Sequence, residues 1–306
     1  MGFQNRLSAK DLNNEFDCGL GGPFPDCDRS SLLHLRVISC LAYYRANIAP
    51  HSMNSTASNL VEIDCGNSAA KWRLLSARKV VKCGTLGYTQ GFNELFQSLD
   101  SLSENIDGCR VVSVAGQEVE IALRGSWVGW TSAPICFAQV EQFCAGVRCG
   151  YEDLSQMGVD RWAAIIAASQ MVEGGCLVMD AGTAITADIL DKQKQHLGGY
   201  ILPGIDAMLG SLRDNTAIPS ARIPNANHIG SFEPGVKTSS AIANAVSMAI
   251  GGFIDRICAE VDDSIEVILT GGHARLLENI LPSSVSVVPD LVLDGLAALL
   301  PMEVRA

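Results

Sequence analysis

Basic side chains are scarce. Twenty-two lysines and arginines face 33 aspartates and glutamates in 306 residues, for a net charge of −11. A nucleic-acid-binding surface needs the opposite sign, so no nucleic-acid partner is expected. The deficit leaves phosphate-bearing small molecules open, because glycine-rich backbone binds phosphates without lysine. None of the eleven cysteines forms a C-x-x-C pair, and no histidine follows Cys144 and Cys149 at zinc-ligand spacing. An odd, scattered set reads as free, mostly buried thiols of a reducing compartment, which predicts a cytoplasmic protein. No run of about 18 uncharged apolar residues occurs, so no membrane span is expected. The nearest candidate, 32–44, is interrupted by His34 and Arg36 and makes a poor signal peptide. Glycine has no strict period, and 48% hydrophobic residues exclude wholesale disorder.

What is present divides the chain. In residues 1–53 five basic and five acidic side chains cancel, so the rest carries the whole −11. The stretch 18–28 is loop chemistry, a short helix is expected near 31–45, and a second methionine, Met53, precedes the first strong strand. Residues 1–53 are therefore expected to be an N-terminal extension of uncertain structure. LVEID (60–64), a CGNS turn and AAKWRLL (69–75) read as a hairpin. RVVSVA (110–115) reads as a buried strand, with weaker strand signals at WVGW (127–130) and ICFAQV (135–140). DRWAAIIAASQMV (160–172) has helical spacing.

The hairpin then recurs. CLVMDAGTAITADIL (176–190) is again strand, Asp-x-Gly turn, strand. Superposed, Asp64 falls on Asp180, Gly66 on Gly182, Asn67 on Thr183 and Ser68 on Ala184, 116 residues apart. Such a repeat predicts two domains of like topology, 54–175 and 176–306. GGYILPG (198–204) adds a strand, 239–261 a long helix, VILTGGHA (267–274) a strand and turn, and 285–300 a closing strand and helix.

An Asp-x-Gly tip has a definite chemistry. Glycine lets backbone fold tightly and approach a ligand, successive N–H groups can face phosphate oxygens, and the aspartate can hold a cation. Two facing tips would clasp a nucleotide's phosphates. The arrangement resembles the actin-like ATPase and sugar-kinase superfamily. Within it the chain is similar to type III pantothenate kinases, including proteins like the Bvg accessory factor. The residues that carry this are Asp64-Cys65-Gly66-Asn67-Ser68-Ala69-Ala70-Lys71, Gly158-Val159-Asp160-Arg161-Trp162, Asp180-Ala181-Gly182-Thr183-Ala184, Gly198 through Gly204, and Thr270-Gly271-Gly272. They occur in family order over about 59–306.

The resemblance implies an α/β fold of two ribonuclease-H-like domains of duplicated topology around a nucleotide cleft. It implies phosphorylation of pantothenate to 4′-phosphopantothenate, the first step of coenzyme A synthesis, with ATP as donor, Mg²⁺, and K⁺ or NH₄⁺. By position, Asp64, Cys65, Gly66, Asn67, Ser68, Ala69, Ala70 and Lys71 match the first phosphate loop. Gly182, Thr183, Gly271 and Gly272 match further ATP contacts, and Asp180 the monovalent-cation ligand. Gly158, Val159, Asp160 and Arg161 match the pantothenate segment, with Asp160 as general base, and Tyr151 and Thr238 match further substrate contacts. The family assembles as a homodimer. Leu154 stands where the family usually has proline, which predicts a less rigid loop.

The residue chemistry agrees. A primary hydroxyl needs a carboxylate to receive its proton, and Arg161 is a planar fork suited to a carboxylate. Other readings stay open at this point. Asp160 and Arg161 could form a helix-start acid and ion pair, Asp180 a turn cap, and Thr238 the N-cap of the long helix. His273 is given no catalytic role, and the four tryptophans are expected to pack. A non-catalytic accessory protein on this fold, or another small-molecule kinase of the superfamily, remains the alternative.

Overall fold

The computed structural model describes residues 59–261, 265–281 and 285–302. The expected extension, 1–53, and its helix near 31–45 lie outside them. The described chain forms two five-stranded sheets of one topology. The first comprises β1 (Asn59–Cys65), β2 (Ala69–Ser76), β3 (Lys79–Gly87), β4 (Gly108–Ser113) and β5 (Ile135–Phe137), in the order β3-β2-β1-β4-β5. A two-stranded ribbon, β6 (Phe143–Cys144) and β7 (Val147–Arg148), follows. The second sheet comprises β8 (Cys176–Ala181), β9 (Ala184–Leu190), β10 (His196–Pro203), β11 (Glu266–Thr270) and β12 (Val285–Val287), in the order β10-β9-β8-β11-β12. In each sheet the first three strands are antiparallel and the last two run parallel to the central strand. The duplicated α/β topology expected from the repeated hairpin is present.

The central strands are covered on both faces, so β1 and β8 read as near-continuous apolar runs. The outer strand β3 is mostly exposed and carries Lys79 and Lys82, charges that blunt a sheet edge. The β2–β3 turn places Ala77 and Arg78 at positive φ, 47° and 65°. Asparagine and glycine usually mark such a turn, and neither is here. Lacking that signal, β3 has no counterpart in the sequence reading.

Helices fill both sides. The first sheet packs α1 (Phe92–Gln97) and α2 (Gln117–Trp130) around Phe96, Trp127 and Trp130. WVGW, read above as a weak strand, is the last turn of α2. Leu123 and Trp127, four apart on one face, are buried together, and this spacing overrides the low helix propensity of Gly125 and Gly129. The second sheet packs α4 (Ile205–Asn215), α5 (Thr238–Glu260) and α6 (Ala274–Leu277). Against the expectation of no spanning segment, α5 is long and apolar enough to cross a membrane by length and composition. Its Ile242, Val246, Ile250, Ile254 and Ile257 are buried in the second core.

A third core joins the halves. The helix α3 (Val159–Met171) is buried continuously from Arg161 to Ser169, and α7 (Leu291–Leu299) lies along it. The first half's closing helix, α3, reaches β8 and β9 of the second sheet, while α7, which closes the second, touches β1 and β4 of the first. The exchange is pinned by ion pairs at equivalent register. Glu62 pairs across β1–β2 with Arg73, and Val178, its counterpart 116 residues on, pairs across β8–β9 with Asp188. Arg73 Nη1 reaches Asp294 of α7 at 2.6 Å, and Asp188 Oδ1 reaches Arg161 of α3 at 2.6 Å. Position is conserved between the halves and charge is reversed.

The α3–α7 crossing has no spare room. A Cβ on Gly295 would press into the Ala163 backbone, whereas one on Gly125 would meet nothing within 4 Å. Gly295→Ala should therefore cost about 1–3 kcal/mol by overpacking. Gly125→Ala, on the exposed face of α2, should gain about 0.5–1 kcal/mol. Urea denaturation midpoints of the two variants should shift in opposite directions from wild type.

Candidate active site

The two Asp-x-Gly turns meet across one cleft. Asp64 and Asp180 end the central strands β1 and β8, the carboxyl edge at which open sheets bind ligands. Each turn closes in the same way: Gly66 N–H donates to the Ala69 carbonyl at 3.2 Å, and Gly182 N–H to the Ala184 carbonyl at 3.0 Å. The Tyr88 hydroxyl donates to the Gly66 carbonyl at 2.5 Å and steadies the first turn. The tips touch, with Ser68 Oγ and Thr183 Oγ1 2.9 Å apart. The cleft encloses about 410 Å³, room for a nucleotide-sized ligand.

Most matched residues line it. Asp64, Gly66, Asn67, Ser68, Ala69 and Lys71 come from the first hairpin. Asp180, Gly182 and Thr183 come from the second, Gly271 and Gly272 from the turn after β11, and Asp160 and Arg161 from α3. Cys65 and Ala70 are fully buried in the strands, so their side chains point into the first core. Burial pushes the Cys65 thiol up to about 12, which makes it an inert packing group. Gly158 and Val159 line an adjoining cavity with Ser113, Gln139 and Met157. Thr238 is exposed in the first turn of α5 and is not among the cleft residues. It is not the N-cap either: Ser240 Oγ both accepts from Lys237 N–H and donates to its carbonyl.

Three carboxylates share the floor. Burial first, then the Asp160 charge, pushes Asp64 up to about 7 against the opposing pull of Lys71. The same causes push Asp180 up to about 6. Asp160 is also raised by burial, opposed by the N–H of Arg161, which donates to its Oδ1 at 2.7 Å. Lys71 stands cross-strand from Asp64, while the corresponding partner of Asp180 is Thr186. Crowded, raised carboxylates with one lysine among them fit hard cations. Among the described residues no three metal-binding side chains converge closely enough to hold a metal alone. Ligand phosphates would have to complete the coordination.

The Arg161 fork, expected to face a substrate carboxylate, already has a partner inside the protein. Nε and Nη2 donate to Asp188 at 2.9 and 2.6 Å, and Nη1 donates to the Tyr151 hydroxyl at 2.9 Å. Two donors remain, one on each terminal nitrogen. Tyr151 thus reaches the site through Arg161. The loop that lacks the family proline at Leu154 is braced otherwise. Asp153 accepts from Ser155 N–H, Ser155 Oγ and Gln156 Nε2, an Asx-type turn where the family has proline one residue on.

The geometry agrees with the comparisons. The family model for type III pantothenate kinase matches residues 60–260. A type III pantothenate kinase of Azotobacter vinelandii is 36% identical over 251 residues, covering 79% of this chain and 99% of the relative. One from Pseudomonas putida is 35% identical over 250 residues, 80% of this chain and all of the relative. The chain belongs to the type III pantothenate kinase family. In fold it is similar to a solved Campylobacter jejuni protein described as a Baf family transcriptional activator, at 22% identity and TM-score 0.52. That match covers 79% of this chain and 96% of the other. A Sinorhizobium meliloti protein described as a 2-dehydro-3-deoxygalactonokinase matches at TM-score 0.50 and 14% identity, over 79% of this chain and all of the other.

The family motifs left several cleft residues unmarked. Thr186, Asp206, His273 and Asp290 also line it. His273 Nε2 lies 3.5 Å from Asp206 Oδ2, and its Nδ1 has no partner. The T-G-G-H run was the available signal. Gly271 itself is explained by close approach: its φ is 97°, and a Cβ there would overlap Asp180 Oδ1.

The raised carboxylates predict a pH dependence of stability. Asp64 holds a proton in the folded state between roughly pH 4 and 7 that the unfolded chain releases. Its contribution is therefore present at low pH and lost as pH rises through about 7. In chelator and without nucleotide, the melting temperature of Asp64→Asn minus that of wild type should rise continuously from about pH 4 to about pH 7, and be larger at pH 8 than at pH 5 by about 2–4 °C. A difference flat across that range would show that Asp64 carries no such strain.

Proposed function

We propose that this protein phosphorylates pantothenate with ATP, giving ADP and 4′-phosphopantothenate, the first committed chemistry of coenzyme A synthesis. The observation that carries the reading is the meeting of Asp160 with both glycine turns in one cleft. Asp160 is the general base. Its burial raises its affinity for a proton, and its Oδ1 is oriented by the Arg161 N–H. The 4′-hydroxyl gives up its proton to this carboxylate as its oxygen takes the γ-phosphoryl group.

Asn67, Ser68 and Thr183 supply backbone N–H and side-chain donors for the phosphates, Gly66 and Gly182 close the turns that present them, and Lys71 adds a fixed positive charge. Gly271 and Gly272 leave the cleft wall open toward the nucleoside. Asp64 is suited to a phosphate-bound Mg²⁺, and Asp180 to K⁺ or NH₄⁺. These cations neutralise charge that develops on the phosphates. Two anionic substrates entering a protein of net charge −11 also need them.

The reading includes a homodimer. The outer strand β10 exposes Leu197, Tyr200 and Ile201, and the approach to α5 exposes Phe232 and Val236. A second copy covering this face would bring Thr238 to a cleft that it does not reach in its own chain. Division into halves at 175/176 and a cytoplasmic location accompany the reading. The eight described cysteines are all free, and four are buried.

The test is ADP release with pantothenate, Mg²⁺ and either K⁺ or Na⁺. Wild type should turn over and prefer K⁺, and Asp160→Asn should lose at least about 100-fold in kcat with the KM for ATP little changed. Full activity in Asp160→Asn would remove it as the base. A folded wild type inert toward pantothenate would overturn the kinase reading.

A further inference from the structure

Behind Arg161 lies a buried pair that no matched motif contains in full. Asp188 is on β9 and His196 opens β10; they are 2% and 0% exposed. Asp188 takes the Arg161 fork with both oxygens. His196 Nε2 lies 3.0 Å from the same Oδ1 that accepts from Arg161 Nη2. His196 Nδ1 accepts the Gly150 N–H at 3.4 Å, which puts the ring proton on Nε2 and makes His196 a donor to Asp188. The His196 ring stacks on Tyr151, 7° from parallel with centroids 5.9 Å apart. The Tyr151 hydroxyl in turn accepts from Arg161. The contacts close a ring of four side chains from a loop, a helix and two strands.

We propose that Asp188, backed by His196, is the positioning residue that fixes the plane of Arg161 and thereby sets selectivity for the carboxylate end of the phosphoryl acceptor. This inference rests on the pantothenate kinase reading. A free arginine has five donors on a flexible stem, and anchoring three of them leaves one on each terminal nitrogen in a fixed direction. Those two nitrogens form the end-on fork that grips a carboxylate. Gly199 of the G-G-Y-I-L-P-G run is shaped to the same purpose. A Cβ there would overlap Asp188 Oδ1 and stand 2.9 Å from Arg161 Nη2. The second half of the protein thus reads the substrate through a residue that never touches it.

Two physical effects of removing the Asp188 charge oppose each other. On net charge alone, Asp188→Asn would leave Arg161 fully positive and tighten binding of an anionic acceptor. On positioning, asparagine offers one acceptor oxygen and a repelling NH₂, so the fork loses its plane and binding weakens. Steady-state kinetics with pantothenate and with pantothenol, in which a hydroxymethyl group replaces the carboxylate, separates the two.

Asp188→Asn should raise the KM for pantothenate about 10-fold or more, with kcat and the KM for ATP changed less than about 3-fold. The preference for pantothenate over pantothenol in kcat/KM should fall by a similar factor. His196→Gln, which leaves the Arg161–Asp188 pair in place, should move both quantities the same way but less. It also serves if Asp188→Asn fails to fold. An unchanged or lowered KM for pantothenate in folded variants, or equal losses on the two acceptors, would overturn the positioning role. Wild type is assayed beside them. Its activity on pantothenate, with such a variant result, leaves the kinase reading intact, whereas its inactivity overturns both.

Discussion

Burial of Asp64, Asp160 and Asp180 around one cleft is the constraint around which the rest is arranged. Each is placed by a different element: the ends of two equivalent strands and the first turn of a helix. Each is pushed toward its protonated form, with burial the largest cause. A fold would relieve this by separating them. Here the hairpins are instead held tip to tip through Ser68 and Thr183, with Lys71 answering the charge of Asp64 and Asp180 and Arg161 that of Asp160.

Holding the three together requires a rigid junction between the halves, and the exchanged helices supply it. The helix that carries Asp160 and Arg161 is clamped between α7 and the second sheet, so those two residues cannot move without the β9–β10 side of the cleft. Gly295 lets the helices cross at backbone distance. The start of α3 thereby belongs structurally to both halves, although in sequence it closes the first.

What was legible in the sequence followed from local chemistry. The repeated Asp-x-Gly hairpin announced the duplicated sheets, because strand–turn–strand needs only neighbouring residues to specify it. The strand β3 escaped notice because its turn uses Ala77 and Arg78 at positive φ in place of asparagine and glycine. WVGW misled because valine, tryptophan and glycine disfavour helix locally, while the Leu123–Trp127 spacing on the first core decides. At the site, every residue in a glycine turn could be seen. Asp188 and His196 could not, since Asp188 pairs with Arg161 across 27 residues and with His196 across eight, and neither spacing leaves a periodicity behind it. The bidentate geometry of Arg161 looked free for substrate for the same reason: its partner lies in the other half.

Duplication itself creates a hazard that the ion pairs address. Two halves of one topology present two similar seats, and α3 and α7 could in principle dock on either. The tethers occupy equivalent register positions with opposite charge, Arg73 in one sheet and Asp188 in the other. In the correct arrangement Arg73 meets Asp294 and Asp188 meets Arg161. In the exchanged arrangement arginine would face arginine and aspartate would face aspartate, in surroundings where unpaired buried charge costs about 3–5 kcal/mol for each broken pair. Buried ion pairs add little net stability over apolar packing, so their value here lies in discrimination between the two seats. The reversal of charge between copies of one hairpin gives the two helices different seats, so that Asp160 and Arg161 enter the cleft from α3.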